Sequence, residues 1–330
     1  MPAPLISFVV PCYNYGRYLP DCLNSIFNQE GSWDFEIIAV DDASTDNTLE
    51  VLERFRDPRL RILRHHENHG HVVTVNEGLG AAQGEFVARI DPDDRYRPDF
   101  LKTLLPKFGQ HPDAGLVYGD AAIINEHGDI QATGTDQVHL GADFKGNELC
   151  ALLTENFICA PTAIARRNAW LEAMPIPEKL AFNDWYFNVM MARRHDFCYV
   201  HHVVADYRVH SANHHAKIVT NKSEEPSIRY VLDLVFQSKD RPEIERQKQK
   251  VRGRVYSAQY LTLANKYFGA GLRADARRCY REAVTFSPAA GFSLTTLRRF
   301  AATFLEPPTY RALKNVTSNL YLSRPTRSQK

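Results

Sequence analysis

The sequence predicts an α/β protein: a mainly parallel sheet flanked by helices, continued by an α-helical C-terminal region. Short apolar, β-branched runs recur through the first 120 residues, separated by stretches with helical spacing. Polar or acidic clusters directly follow several of those runs. After about residue 220 strand signals fade and the chain becomes helical and basic.

Each element follows from its pattern. LISFVV (5–10) is an unbroken apolar run, as expected of a strand buried on both faces. Leu19, Leu23, Ile26 and Phe27 share one face of a helix over 18–28. FEIIAV (35–40) is a second buried strand. Asp46 and Asn47 open a helix that aligns Leu49, Leu52 and Phe55. LRIL (60–63) is a third strand, 71–82 a helix and EFVARI (85–90) a fourth strand. Pro98 starts another helix, and GLVY (115–118) is a fifth strand. Asn125-Glu126-His127-Gly128 reads as a turn between two short strands, 184–194 as a helix, and FCYV and VVADYRV as strands.

In parallel sheets of this kind ligands bind beyond the carboxyl ends of the strands. Those ends carry Pro11-Cys12-Tyr13-Asn14, then Asp41-Asp42-Ala43-Ser44-Thr45-Asp46, then Asp91-Pro92-Asp93-Asp94. Carboxylates crowded at one edge repel unless a cation sits among them. Asp91 and Asp93 suit a hard divalent ion with open positions for phosphate, or they belong to a charged turn before Pro98. The 40–46 segment either caps a helix or offers a carboxylate to a base N–H. Asn68, Gly70, Asn76, Gly78 and Gly84 punctuate a helical stretch, implying close backbone approach to a ligand or to the sheet. Asp184, beside Trp185 at a helix start, is a cap or a general base with an aromatic platform. Arg208 and His210 could reach metal or phosphate.

The order of these motifs resembles a family 2 glycosyltransferase of the GT-A fold, a Rossmann-like nucleotide-diphospho-sugar transferase architecture. The resemblance covers about residues 4–215 and rests on PCYN, VDDASTD, N-x-G with N-x-G-x-x-x-A-x-G, DPDD, ND and YRVH in sequence. It implies that Pro11, Tyr13 and Asn14 line the nucleotide site and that Asp42 contacts a uracil-type base. Asn68 and Asn76 would approach the donor. Asp91 and Asp93 would form the D-x-D pair, Asp93 as direct ligand of Mn²⁺ or Mg²⁺, with Asp94 meeting the sugar or standing behind the ligands. Asp184 would be the catalytic base. Tyr207, Arg208 and His210 would lie near diphosphate and metal. The implied reaction is a single inverting displacement from a nucleotide-sugar donor, a UDP-sugar by default, to a glycan or lipid-linked acceptor in cell-surface polysaccharide synthesis. Two departures stand out: Asn183 replaces the glutamate before Asp184, and Met174-Pro175-Ile176-Pro177 replaces a Gly-rich turn.

Other classes fit less well. A nucleotidyltransferase needs a Gly-rich, basic loop after the first strand, and PCYNYGR holds one glycine and one arginine. A non-catalytic module would have lost one carboxylate set. With no Q-x-x-R-W motif and no apolar run long enough to span a bilayer, a processive synthase is not expected. Neither is a nucleic-acid partner.

Net charge is +1, yet residues 221–330 hold 21 Lys/Arg against 9 Asp/Glu while residues 1–220 hold 19 against 30. The acidic part could hold a cation. The basic part is a solvated surface or rests on an anionic partner, such as a membrane surface. The expected division is a catalytic domain over 1–220, with a nucleotide-binding half (1–120) and an acceptor-binding half (121–220), then a basic helical region over 221–330. Within the latter, Tyr260, Leu263, Ala264, Tyr267, Ala276, Tyr280, Ala283 and Pro288 resemble one tetratricopeptide repeat, with helices at 256–269 and 273–286. Six scattered cysteines and the lack of a basic leader point to a reduced, cytoplasmic setting, with peripheral contact at the inner membrane face as an option.

Overall fold

In the computed structural model, which describes residues 5–210, 221–289 and 293–305, β1 (Ile6–Cys12) is buried along its whole length. With apolar side chains on both faces it needs cover above and below, and its edges take parallel neighbours. These are β2 (Phe35–Asp41) and β4 (Phe86–Arg89). β3 (Leu60–Arg64) lies parallel outside β2. The register sets Cys12 beside Asp41 and Asp41 beside Arg64, so the loops after β1, β2 and β3 leave from one edge.

Helices cover the sheet. α1 (Leu19–Phe27) buries Leu19, Cys22, Leu23 and Ile26, close to the face its spacing predicts, whereas α2 (Thr48–Arg54) buries Val51 and Leu52 and leaves Leu49 and Phe55, expected on the buried face, half-buried. α3 (His71–Ala81) packs so closely that a Cβ on Gly78 would come 2.5 Å from Val9 Cγ1 and 3.3 Å from Val40 Cγ2. The close approach expected of Gly78 is therefore to the sheet.

Beyond β4 the sheet is mixed. β9 (Ala163–Arg166) runs antiparallel between β4 and β6 (Ala114–Ile124). β10 (Asp196–Arg208) is parallel to β6. β5 (Arg95–Tyr96) closes the order β3-β2-β1-β4-β9-β6-β10-β5, with β7 (Ile130–Ala132) on β6 and β8 (Phe144–Gly146) on β10. Strands β1, β2, β3, β4, β6 and β10 thus run the same way, so the sheet is mainly parallel. The segments FCYV and VVADYRV, expected as separate strands, are one strand whose register shifts between Tyr199 and Val203. That irregularity lets a single strand pass exposed His201 and His202 without ending. β9 is too short for its alternation to be read in sequence.

One local pairing matters for function. β5 follows the acidic turn 91–94 directly and pairs with Ala205 and Asp206 of β10. Arg95 Nε donates to Asp206 Oδ2 at 2.6 Å. The acidic turn and the end of β10 are thereby brought to one place. α4 (Phe100–Gln110), α5 (Leu149–Thr154), α6 (Arg167–Ala173) and α7 (Asp184–Ala192) complete this part of the chain.

The described residues form two compact units divided near residue 250, not at the expected 220. α8 (Glu224–Gln237) belongs to the first unit, where Ala181 N–H donates to Ser227 Oγ at 2.9 Å. Buried Asp240 there receives Arg193 Nη2 at 2.7 Å and Lys248 Nζ at 2.6 Å. The second unit takes the remainder of α9 (Pro242–Gly269), α10 (Arg273–Phe286) and α11 (Leu294–Ala302). Gly271, at φ +78°, reverses the chain between α9 and α10. Tyr256 and Tyr260 stack on Phe286 at 4.7 and 5.7 Å. Among the described residues no helix is long and apolar enough to cross a membrane.

Candidate active site

The acidic turn is the densest group of buried charge at the sheet edge. Asp93 and Asp94 are buried and Asp91 is partly exposed. Burial, then the charge of Asp91, pushes the Asp93 carboxyl up, opposed by His210. Asp94 is driven well up by burial, then by Asp93 and Asp91. Among the described residues, Asp91 Oδ1 and Asp94 Oδ2 are enclosed without a hydrogen-bond partner. Like charges that raise one another, with two acceptor oxygens left over, fit a hard cation. Among the described residues no three His, Cys, Asp or Glu side chains close a metal cage. Magnesium-type sites seldom need one: one or two carboxylates suffice when phosphates supply further ligands.

The end of β10 braces this turn. Buried Arg208 donates from its backbone N–H to Asp94 Oδ1 at 2.8 Å and from Nε to the Asp93 carbonyl at 2.6 Å. Nη1 reaches the carbonyls of Asn125 and Glu126 at 3.3 and 3.4 Å, and the guanidinium lies 4.9 Å from the Tyr18 ring centre. Arg208 thus holds backbone in place. His210 Nε2 meets Asp93 Oδ2 at 3.0 Å, and the ring lies 5.2 Å from that of Tyr18.

The loops after β1 and β2 are laced together. Asn14, at φ 60°, accepts the Thr45 N–H at 2.8 Å, and its own N–H donates to Ser44 Oγ at 3.0 Å. Asp46 accepts from Gly16 N–H at 3.0 Å and Thr48 N–H at 2.9 Å, a cap in the expected place. Asn14 is therefore a strap between loops. Pro11 is buried, while Tyr13 stands 42% exposed beside this strap.

Asp42 is enclosed. Its carboxylate accepts from His65 Nδ1 at 2.6 Å and from the backbone N–H groups of His69 and Gly70, each at 2.8 Å. Burial would raise the Asp42 carboxyl, but these bonds outweigh it and hold it below the usual range. His65 also meets Glu77 at 2.6 Å. Burial lowers the imidazole, and the two carboxylates more than reverse that, so it is raised. Asp42 is thus committed to shaping the loop at 65–70, where Asn68 Nδ2 donates to the Asp42 carbonyl at 3.2 Å. Asn76 is bonded to the 174–177 loop. Its carboxamide donates to the Ile176 carbonyl and accepts the Ile176 N–H, both at 2.9 Å.

Asp184 opens α7 with one oxygen held by Asn156 Nδ2 at 3.0 Å. Two residues not singled out in the sequence connect it to the rest. His71 Nε2 lies 4.0 Å from Asp91 Oδ1. Arg89 donates from Nη2 to Asp91 Oδ2 at 3.1 Å and from Nη1 to Asn183 Oδ1 at 2.5 Å. Contacts therefore run along one edge from Asp42 through the 69–71 segment to Asp91, and on through Arg89 to Asn183 and Asp184. A charged residue in the apolar run FVARI was the available signal for Arg89. A small cavity lined by Arg89, Cys159, Asp184 and Asn188 adjoins this edge. A cavity of about 680 Å³ by Leu5, Gly84 and Arg167 opens at the opposite end of the strands and takes no part in this chemistry.

Residues 7–174 match the family model for glycosyl transferase family 2. Glycosyltransferase GlyG of Streptococcus pneumoniae is 39% identical over 35% of this chain and 38% of its own length. An uncharacterized glycosyltransferase of Haemophilus influenzae is 30% identical over 70% of this chain and 76% of its own. S. aureus TarS 1-349, solved with UDP-GlcNAc, superposes with a TM-score of 0.69 at 17% identity, over 93% of this chain and 91% of that one. A mannosyltransferase from Pyrobaculum calidifontis, solved with GDP-Man and Mn²⁺, gives 0.58 at 18% identity, over 98% and 88%. At such identities the two structures speak for the shared fold.

Proposed function

We propose, on the premise that the chain belongs to glycosyl transferase family 2, that it moves a sugar from a UDP-sugar to a hydroxyl of a glycan or lipid-linked acceptor by one inverting displacement. The observation that carries this reading is the acidic turn 91–94, two of whose enclosed oxygens have no hydrogen-bond partner among the described residues. Asp93 and Asp91, with His210 behind Asp93, are the residues that would hold Mn²⁺ or Mg²⁺. When bound, the ion supplies Lewis-acid stabilisation of the departing diphosphate. Tyr13 forms a wall of the base pocket, with Pro11 buried behind it. Asn14, Asp42 and Asn68 keep the surrounding loops in shape. Arg208 and Asp94 hold the acidic turn against β10. Asp184 takes the proton of the acceptor hydroxyl as its oxygen attacks the anomeric carbon. Inversion needs no second carboxylate, because no covalent sugar intermediate forms.

The UDP preference follows the family resemblance, which implies a UDP-sugar by default. A role in surface polysaccharide assembly is supported by likeness to a teichuronic acid biosynthesis glycosyltransferase of Bacillus subtilis, 38% identical over 31% of this chain. The basic 221–330 region is the part we assign to contact with an anionic surface. The test is a thermal-shift screen of UDP-, dTDP- and GDP-sugars with and without Mn²⁺, since a ligand of the native state raises the melting point. UDP-sugars with Mn²⁺ are expected to give the largest shift. Asp184→Asn is expected to keep that shift and lose turnover by about 10²–10⁴-fold. A chain that shifts with UDP-sugars but turns over none of them is a binding module, and the transfer reading fails.

A further inference from the structure

Arg89 is a cation in an otherwise apolar, buried strand, with only 5% of its surface exposed. A charge so placed is costly unless its hydrogen bonds are well made. Its two terminal nitrogens reach two different segments: Asp91 Oδ2 in the acidic turn, and Asn183 Oδ1, which is itself buried just before Asp184. These segments lie far apart in sequence, and among the described residues no backbone pairing joins α7 to the acidic turn. The guanidinium is planar, so two acceptors on its fork are fixed in distance and in angle. Asn183 stands where the resembled family has glutamate. It accepts from Arg89 without adding a second negative charge, which leaves the cation's charge directed at the acidic turn.

We infer that Arg89 is a positioning residue that locks the acidic turn and the start of the Asp184 helix into one geometry, with Asn183 as its receiver. The inference rests on the transferase reading. The two ends of the fork set the reach between the departing diphosphate, on the acidic-turn side, and the proton acceptor, on the helix side. Displacing one against the other by about 1 Å is enough to cost about a hundredfold in rate.

The test compares wild type, Arg89→Lys, Arg89→Gln, Asn183→Ala and the Arg89→Gln/Asn183→Ala double variant. Three quantities are measured: kcat for UDP release from a UDP-sugar panel, Kd for UDP with Mn²⁺, and Tm. Each single variant is expected to lower kcat by about a hundredfold while the UDP Kd moves by less than about threefold. The double variant is expected to be no slower than Arg89→Gln alone, because both changes break one link. Arg89→Lys keeps the charge and loses the fork, so it is expected not to rescue; it also carries the test if Arg89→Gln does not fold. An Arg89→Lys enzyme with near-wild-type kcat, or losses that multiply in the double variant, overturns the inference while leaving the transferase reading intact. A wild type inert toward every donor and blind to UDP removes both.

Discussion

The pair of His65 and Asp42 makes a pH-dependent contribution whose sign is fixed by the bonds around it. His65 is raised above its ordinary value of about 6.5 by Asp42 and Glu77, against burial. Its share of stability is therefore complete below pH about 6.5 and is lost as pH climbs through the raised folded value. Asp42 is held below its usual range, so its share is present at neutral pH and disappears only in acid. In His65→Gln, the fall of Tm on the alkaline side of pH about 6.5 should flatten relative to wild type; parallel Tm–pH curves would contradict the account. At this scale the sequence was partly legible. Acidic residues after strands marked the edge where Asp93 and Asp94 lie buried, whereas the bond between His210 and Asp93 shows only in the structure. Asn14, Asp42, Asn76 and Arg208 were read as donor contacts from their places in the motifs. The protein bonds they make depend on tertiary neighbours such as His65, Ile176 and Asn125, which no local pattern shows.

Among the elements, α3 is fixed to the sheet by the bare backbone of Gly78 and to the 174–177 loop by Asn76. Gly78→Ala places a methyl against Val9 and Val40 and should destabilise by about 1–3 kcal/mol through overpacking. Asn76→Ala leaves the N–H and carbonyl of Ile176 without their partner and should cost about 1–3 kcal/mol. Urea unfolding checks both, and a change below about 0.5 kcal/mol in either would contradict the packing described here. The strands β1, β2, β3 and β4 were readable because each is a short apolar run between polar loops. β9 and the joined strand β10 were not. A four-residue segment has too little periodicity, and the register shift after Tyr199 depends on its neighbours rather than on its own residues.

Across the whole molecule, family membership and fold agree with what the order of motifs implied. The division of the chain was less legible, because α8 is helical like the C-terminal region yet packs with the first unit. The excess of 21 Lys/Arg over 9 Asp/Glu in residues 221–330 should make binding to anionic vesicles salt-sensitive. Co-sedimentation should fall between low salt and 0.15 M, where the Debye length is about 8 Å; equal binding to neutral vesicles would argue against an electrostatic contact. The claim beneath all of this is that the carboxylates at the edge of β4 and β10 serve a divalent ion and a nucleoside diphosphate together. Calorimetric titration of UDP into wild type and Asp93→Ala, each with and without Mn²⁺, tests it most directly. The account predicts that Mn²⁺ tightens UDP binding in wild type by about tenfold or more, a gain of about 1.4 kcal/mol, and leaves Asp93→Ala unchanged. UDP affinity indifferent to Mn²⁺ in the wild type, or an Asp93→Ala chain that responds as the wild type does, would contradict it.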